Sequence, residues 1–247
     1  MSKQQLLNIL IDNITMDETV SAVDNFIKCD KKAYIVPTNV DMMVKAEKDD
    51  YLREIINNAD LTVADGKPLI WISKLQKNEL LEKVSGSDLS IELLKLANDK
   101  KYSIFIIGGK KGVAEKAKTN IYTKYPDIRD IYTYSPDIGF EKNANELIHI
   151  NDLISEANPD ILFACFGCPK QEEWVYENYK KYNAKVTLCA GATVDFLAGT
   201  VKRAPKWMSD VGLEWFYRFL QEPRRLFKRY FIDDLKIVKL IFKYQNK

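Results

Sequence analysis

The chain has 247 residues, 46% of them hydrophobic, with a formal net charge of +2, four cysteines and a single histidine, His149. That is enough apolar sequence for one large domain with a real core, and it excludes a disordered chain. One histidine argues against an HExxH or three-histidine zinc site and leaves a Ser/His or Cys/His nucleophile resting on one residue.

The small net charge conceals a division. Residues 1–199 carry 25 Lys and Arg against 30 Asp and Glu, whereas residues 200–247 carry 12 against 5, together with 10 of the 28 aromatics. Two units with different neighbours are expected, 1–199 and 200–247.

The opening MSKQQLLNILIDN has neither a long apolar core nor a small-residue cleavage site, so no secretory signal is expected. No apolar run approaches the roughly 20 residues of a spanning helix. An intracellular protein with reduced thiols is the expectation. Thr15 and Glu18 form a capping-box signature ahead of a helix over 16–28. A β-rich run follows at 33–37, and another at 61–64. Ser87 is placed to cap a helix over 88–99. Then come a strand at 103–107, a helix at 111–125, strands at 131–134 and 161–166, a helix over 170–182 opened by Pro169, and a strand at 186–190. Several of these strands are apolar on both faces, as buried parallel strands are. The alternation predicts an α/β fold, a Rossmann-like parallel sheet covered on both faces. From residue 204 the strand signals stop, and helices are expected at 204–211, 213–221 and 223–244. In the last, Phe227, Phe231, Leu235, Val238 and Phe242 follow helical spacing on one stripe, and Arg225, Arg229, Lys236 and Lys243 on another. This is a basic amphipathic helix.

Right-handed crossovers would bring the strand C-termini to one edge, where ligands bind. The residues there are Pro37-Thr38-Asn39, Asp65-Gly66, Gly108-Gly109 with Gly112, Gly167 to Glu172, and Gly191 with Asp195. Glycines and helix N-termini at such an edge suit a nucleotide phosphate. GGxxG at 108–112 is neither the dinucleotide fingerprint nor the P-loop, and it suits a tight strand-to-helix turn equally well. Asp65 suits a helix cap as well as a chemical role. Cys165 and Cys168 form a lone CxxC, short of two ligands for zinc, and read as small residues at a strand end ahead of a redox pair. Among the 20 aspartates no two are separated by one residue, so there is no DxD metal clamp. No metal cofactor is expected; cationic side chains would have to neutralise a diphosphate leaving group.

Several strings resemble the WecG/TagA/CpsF glycosyltransferases, glycosyltransferase family 26: ADG at 64–66, VSGSDL at 84–89, GCPKQEEW at 167–174, and DFLAGTVKRAPKWMSDVGLEWFYRFLQEPRRLFKRY at 195–230. The resemblance runs from about residue 8 to residue 230. It implies an inverting, β-forming transferase that moves a sugar, of N-acetylmannosamine type, from a UDP-sugar to a polyprenyl-diphosphate-linked sugar in bacterial polysaccharide or teichoic acid synthesis. UDP-glucose and UDP-ManNAc uronate are alternative donors. It also implies that the C-terminal helices associate with the membrane and help complete the site. The expected location is the inner face of the bacterial cell membrane.

On this resemblance Asp65 is the catalytic base. Thr38, Asn39, Lys83, Gln171, Asp195, Arg203, Arg218, Arg224 and Arg225 are assigned to substrate, and the strand-end pattern alone assigns Gly108 and Gly109 to the nucleotide phosphate. Lys83 stands where the family usually has arginine, and so loses a bidentate fork. Thr38 adjoins Asn39, where the family often places threonine two residues before it. A non-catalytic nucleotide-binding module is the competing reading. Nucleic-acid binding through Arg224, Arg225, Lys228 and Arg229 is disfavoured by the acidic core. The apolar tail also leaves room for a homo-oligomer.

Overall fold

The computed structural model describes residues 3–244, other than the side chains of Lys206 and Asp210. The chain opens with a hairpin of β1 (Lys3–Leu6) and β2 (Ile9–Asp12). Six further strands follow: β3 (Ala33–Thr38), β4 (Leu61–Ala64), β5 (Ile104–Gly108), β6 (Ile131–Tyr134), β7 (Ile161–Cys165) and β8 (Val186–Cys189). These six form one parallel sheet in the order β4-β3-β8-β7-β5-β6. The predicted strands are therefore present, with ends shifted by one residue at most. Except for β6, every residue of these strands is buried, because helices cover both faces.

One face packs against Met16–Lys28, Gly86–Lys100 and Val113–Lys124, through Ile35, Ile106, Phe163 and Leu188. The other packs against Val40–Ala46, Asp50–Asn57, Ala144–Ala157 and Lys170–Asn178, through Tyr34, Ile107, Leu162 and Trp174. Thr15 closes the expected capping box on Glu18. The predicted cap at Ser87 is corrected: Ser85 caps the helix, its hydroxyl accepting from Asp88 N at 3.2 Å, and the helix begins at Gly86. Two serines two residues apart are equivalent in pattern, and the loop from the helix Lys67–Leu75 places the first at the cap.

The hairpin was not foreseen. Its turn contains Leu7 at φ 54°, and no Asn-Gly or Asp-Gly pair announces it. It is held by burial of Leu6, Ile9 and Ile11 and by Asp12, whose carboxylate accepts from Thr62 N at 2.8 Å. The hairpin thus lies beside the exposed edge of β4.

The last segment departs most from expectation. Instead of one helix over 223–244, it runs as Pro223–Lys228, a π-turn over Arg229–Asp233, a 3-10 turn over Asp234–Lys236, and Ile237–Tyr244. The irregular turn carries Arg229 towards Asp41, 3.5 Å away, which is buried and also held by Lys45 at 2.8 Å. Leu240 joins the core beside Ile237 and Ile241, and Lys243 and Tyr244 bind Glu47. The tail is seated on the helix that follows β3. The outermost positions of the two expected units, 1–2 and 245–247, lie outside the described residues.

Candidate active site

The carboxyl edge of the sheet collects the strand-end residues as expected. β5 and β7 are neighbours whose connections leave in opposite directions, one to β6 and one to β8, which opens a crevice between their ends. Gly108 and Gly109 line it. Gly108 has φ +112°, and a Cβ there would meet Cys165 O at 2.4 Å, so close strand packing alone demands glycine. Both readings of the GGxxG string, phosphate turn and tight turn, share this geometry. Four helices start at this edge without a side-chain cap, after Gly66, Gly112, Pro169 and Ala192, leaving their first N–H groups for a ligand or water.

At the other side of the edge, Thr38 and Asp65 end the paired strands β3 and β4, and Asp65 N donates to Thr38 O at 2.8 Å. Thr38 is fully buried, and its Oγ1 has no partner among the described residues. Asn39 caps the following helix, its carboxamide oxygen accepting from Met42 N at 3.2 Å. Asp65 is half-buried. Burial raises its pKa to about 6 from an ordinary 3.8, helped by the negative charge of Glu214 and opposed by Lys83, the Gly86 backbone N–H and Arg218. A carboxylate tuned this way is ionised at neutral pH yet more basic than a surface aspartate.

The tail reaches this carboxylate through a polar chain. Lys83 donates to Ser209 Oγ at 2.9 Å and lies 3.4 Å from Asp88, and Ser209 donates to Glu214 at 3.0 Å. Arg203 pairs with Asp88. Burial pushes the Asp88 carboxyl up, but the Ser85 hydroxyl and Arg203 outweigh it and hold it below the usual range. Gly212 sits against Trp71, and a Cβ there would lie 3.0 Å from the indole. Arg218 stacks over Phe196 at 5.5 Å.

Lys83, Arg203 and Arg218 are therefore brought to the neighbourhood of Asp65. Arg224 and Arg225 are not: both are exposed, Arg225 pairs with Glu222, and Arg224 has no ion pair among the described residues. Asp195 lies beyond β8, where its carboxylate accepts from the Thr200 hydroxyl at 3.3 Å. Gln171 is 4% exposed and engaged internally; its oxygen accepts from Gly167 N at 3.2 Å and Gly191 N at 3.1 Å, and its amide donates to Glu172 at 2.7 Å. Ser209, Glu214 and Glu172 were not singled out from sequence. Glu214 and Glu172 lay inside the GLEW and PKQE strings, but no spacing rule marks a carboxylate that acts on another. The four cysteines are free, and burial pushes the Cys165 thiol up to about 12, which leaves it unreactive.

A parallel sheet with glycine turns, uncapped helix starts and a tuned carboxylate among cations along one edge has the layout of an α/β transferase. The profile of the Glycosyl transferase WecG/TagA/CpsF family matches residues 4–247. The chain is 33% identical over 193 residues to an N-acetylglucosaminyldiphosphoundecaprenol N-acetyl-beta-D-mannosaminyltransferase of Bacillus subtilis (strain 168), covering 78% of this chain and 73% of that one. A protein of the same name from Staphylococcus aureus (strain MRSA252) is 29% identical over 227 residues, covering 91% and 87%. The chain belongs to the WecG/TagA/CpsF glycosyltransferase family.

Proposed function

We propose that this chain transfers N-acetylmannosamine from its UDP-sugar to a polyprenyl-diphosphate-linked N-acetylglucosamine, with inversion, at the inner face of the bacterial cell membrane. The observation that carries the reading is Asp65, a carboxyl raised to about 6 with Lys83 and Arg218 beside it. In one displacement, the acceptor hydroxyl oxygen bonds to C1 of the donor sugar as the C1–O bond to UDP breaks. The hydroxyl proton passes to Asp65, and UDP leaves with the bond's electron pair. The relatives' printed name supports this choice of sugar and acceptor.

The donor's diphosphate is assigned to the cationic and N–H-rich edge. Arg203, Arg218 and the uncapped helix starts offer the positive potential a leaving diphosphate requires. Metal-independent transfer is part of the proposal. The sheet order puts three strand spacings, roughly 14 Å, between the ends of β4 and β7, a span suited to an extended sugar nucleotide.

Membrane association rests on a separate observation. Phe227, Phe231, Leu235, Val238 and Phe242 form an exposed apolar ridge, and Trp207 and Trp215 are exposed nearby in sequence. Several of the tail's charged residues instead face the core. Among the described residues no helix is long and apolar enough to cross a membrane, so the ridge is assigned to lie in the interface. A panel of UDP-sugars with a GlcNAc-diphosphate-lipid acceptor, reading UDP release, tests the chemistry. Acceptor-dependent release with UDP-ManNAc is expected; release with UDP-glucose alone overturns the donor assignment, and none with any donor overturns the whole reading.

A further inference from the structure

Glu172 is the most completely buried carboxylic acid at the sheet's carboxyl edge and has no part in the transfer chemistry above. It lies in the first turn of Lys170–Asn178 and is 0% exposed. Its Oε1 accepts from Gln171 Nε2 at 2.7 Å, and its Oε2 has no hydrogen-bond partner among the described residues. Burial pushes its pKa up to about 7, against the Gln171 amide, the Cys168 thiol and the positive charge of Lys45.

The neighbour it holds spans two strands. Gln171 Oε1 accepts from the N–H of Gly167, after β7, and from that of Gly191, after β8. Both glycines have positive φ, 81° and 59°, and both belong to turns that border the cleft. A primary amide has two unlike ends. Turned the other way, the Gln171 NH2 would face two N–H donors, and both turns would lose their acceptor. The two backbone N–H donors already oppose that flip, and a demanding partner at the opposite end of the amide adds to the preference. In its ionised form Glu172, with Oε1 at 2.7 Å, supplies one, because an acceptor-only oxygen is satisfied in only one amide orientation.

We propose that Glu172 is a positioning residue of the transfer site: it fixes the orientation of the Gln171 amide, so that the Gln171 oxygen ties the glycine turns after β7 and β8 together. Its effect on donor binding rests on the function proposed above; the clamp itself does not. This also gives Gln171 a different task from the substrate contact expected of it, since both ends of its amide are engaged within the protein. The unpartnered Oε2 fits the same role. The side chain accepts a poorly satisfied oxygen in order to present the other one.

The test uses the full-length protein as Glu172→Ala, Glu172→Gln, Gln171→Glu and the exchange variant Gln171→Glu/Glu172→Gln. Amide hydrogen exchange at Gly167 and Gly191 reads the clamp directly, and steady-state kinetics read the donor and acceptor KM. Glu172→Ala is expected to speed exchange at both glycines about tenfold, the size of one lost buried hydrogen bond, and to raise donor KM while leaving acceptor KM in place. Glu172→Gln keeps an acceptor oxygen and is expected to recover most of both. The exchange variant restores an acceptor facing the glycines and a donor–acceptor pair between the side chains, and is expected to outperform Gln171→Glu alone. Unchanged glycine exchange in Glu172→Ala overturns the proposal. So does an exchange variant no better than Gln171→Glu, which also decides the matter if the alanine variant fails to fold. A parent protein that transfers no sugar from any donor overturns the functional reading instead, and glycine exchange still decides the clamp.

Discussion

At the scale of single residues, the site depends on one carboxyl held between opposing influences. Burial and Glu214 raise the Asp65 pKa, while Lys83, the Gly86 N–H and Arg218 restrain it at about 6. Asp65→Asn keeps the shape and removes the proposed base. It is expected to cut kcat by about 10²–10⁴-fold, the usual worth of a positioned general base, with UDP binding retained. Because the folded pKa lies above the unfolded 3.8, the folded state binds this proton more tightly. Stability from this group is fullest in acid and is lost as pH rises from about 4 to about 6. Asp65→Asn should therefore raise Tm at pH 7.5, by about 3–5 °C for each pKa unit realised, and differential scanning calorimetry checks it. Activity runs the opposite way, with kcat/KM falling as pH drops through about 6. Equal transfer by the asparagine variant would end the assignment of Asp65 as the base.

At the scale of elements, the alternation of apolar runs and capping signals made the six parallel strands legible, because buried parallel strands are apolar on both faces. Asp65 and the glycines were legible for a related reason: a parallel sheet gathers its strand ends. The hairpin was not legible, since its two four-residue strands gain their stability from contacts with residues some 50 positions away, such as Thr62. Nor was the break at Arg229–Asp233, because no glycine or proline marks it and the attraction of Arg229 to buried Asp41 is tertiary. The outward ridge on this segment gives a clean variant. Phe227→Ser/Phe231→Ser/Phe242→Ser removes rings that are 54%, 40% and 70% accessible, and should abolish flotation with anionic liposomes while lowering Tm only by the lost packing of Phe227 and Phe231 on Phe219. Equal flotation would return the ridge to a second copy of the chain, visible as a dimer by light scattering. In the sheet, Gly108→Ala would force its Cβ to within 2.4 Å of Cys165 O. Thermal denaturation should show a large loss of stability, about 2–4 kcal/mol, as expected for backbone strain at a positive φ.

At the scale of the whole molecule, the charge division along the sequence turns out to be partly internal. Arg229 and Lys243 of the basic tail meet Asp41 and Glu47 of the acidic core, and Arg203 meets Asp88. The excess of +7 in residues 200–247 is thus not all offered outward. Lys202, Arg224, Lys228 and Lys239 have no ion pair among the described residues and are exposed. These are the charges left for an anionic surface, each worth roughly 1 kcal/mol there. Raising salt should weaken liposome binding by the equivalent of about four charges, not seven, which a sedimentation titration measures. The proposed metal independence belongs to this scale as well: transfer should survive excess EDTA undiminished, and rescue of a chelated sample by Mg²⁺ would contradict it.

The Lys83–Ser209–Glu214 chain joins the start of the tail to the strand end beside Asp65, and the membrane seating proposed above places the ridge in the bilayer that carries the acceptor. With the ridge seated in lipid, an acceptor anchored in the same leaflet reaches the cleft by lateral diffusion, within a layer a few ångströms deep. Its encounter rate then follows its mole fraction among the lipids and is indifferent to the volume of the surrounding water. Diluting the acceptor with inert phospholipid should slow transfer, whereas diluting the vesicles in buffer, once the protein is bound, should not.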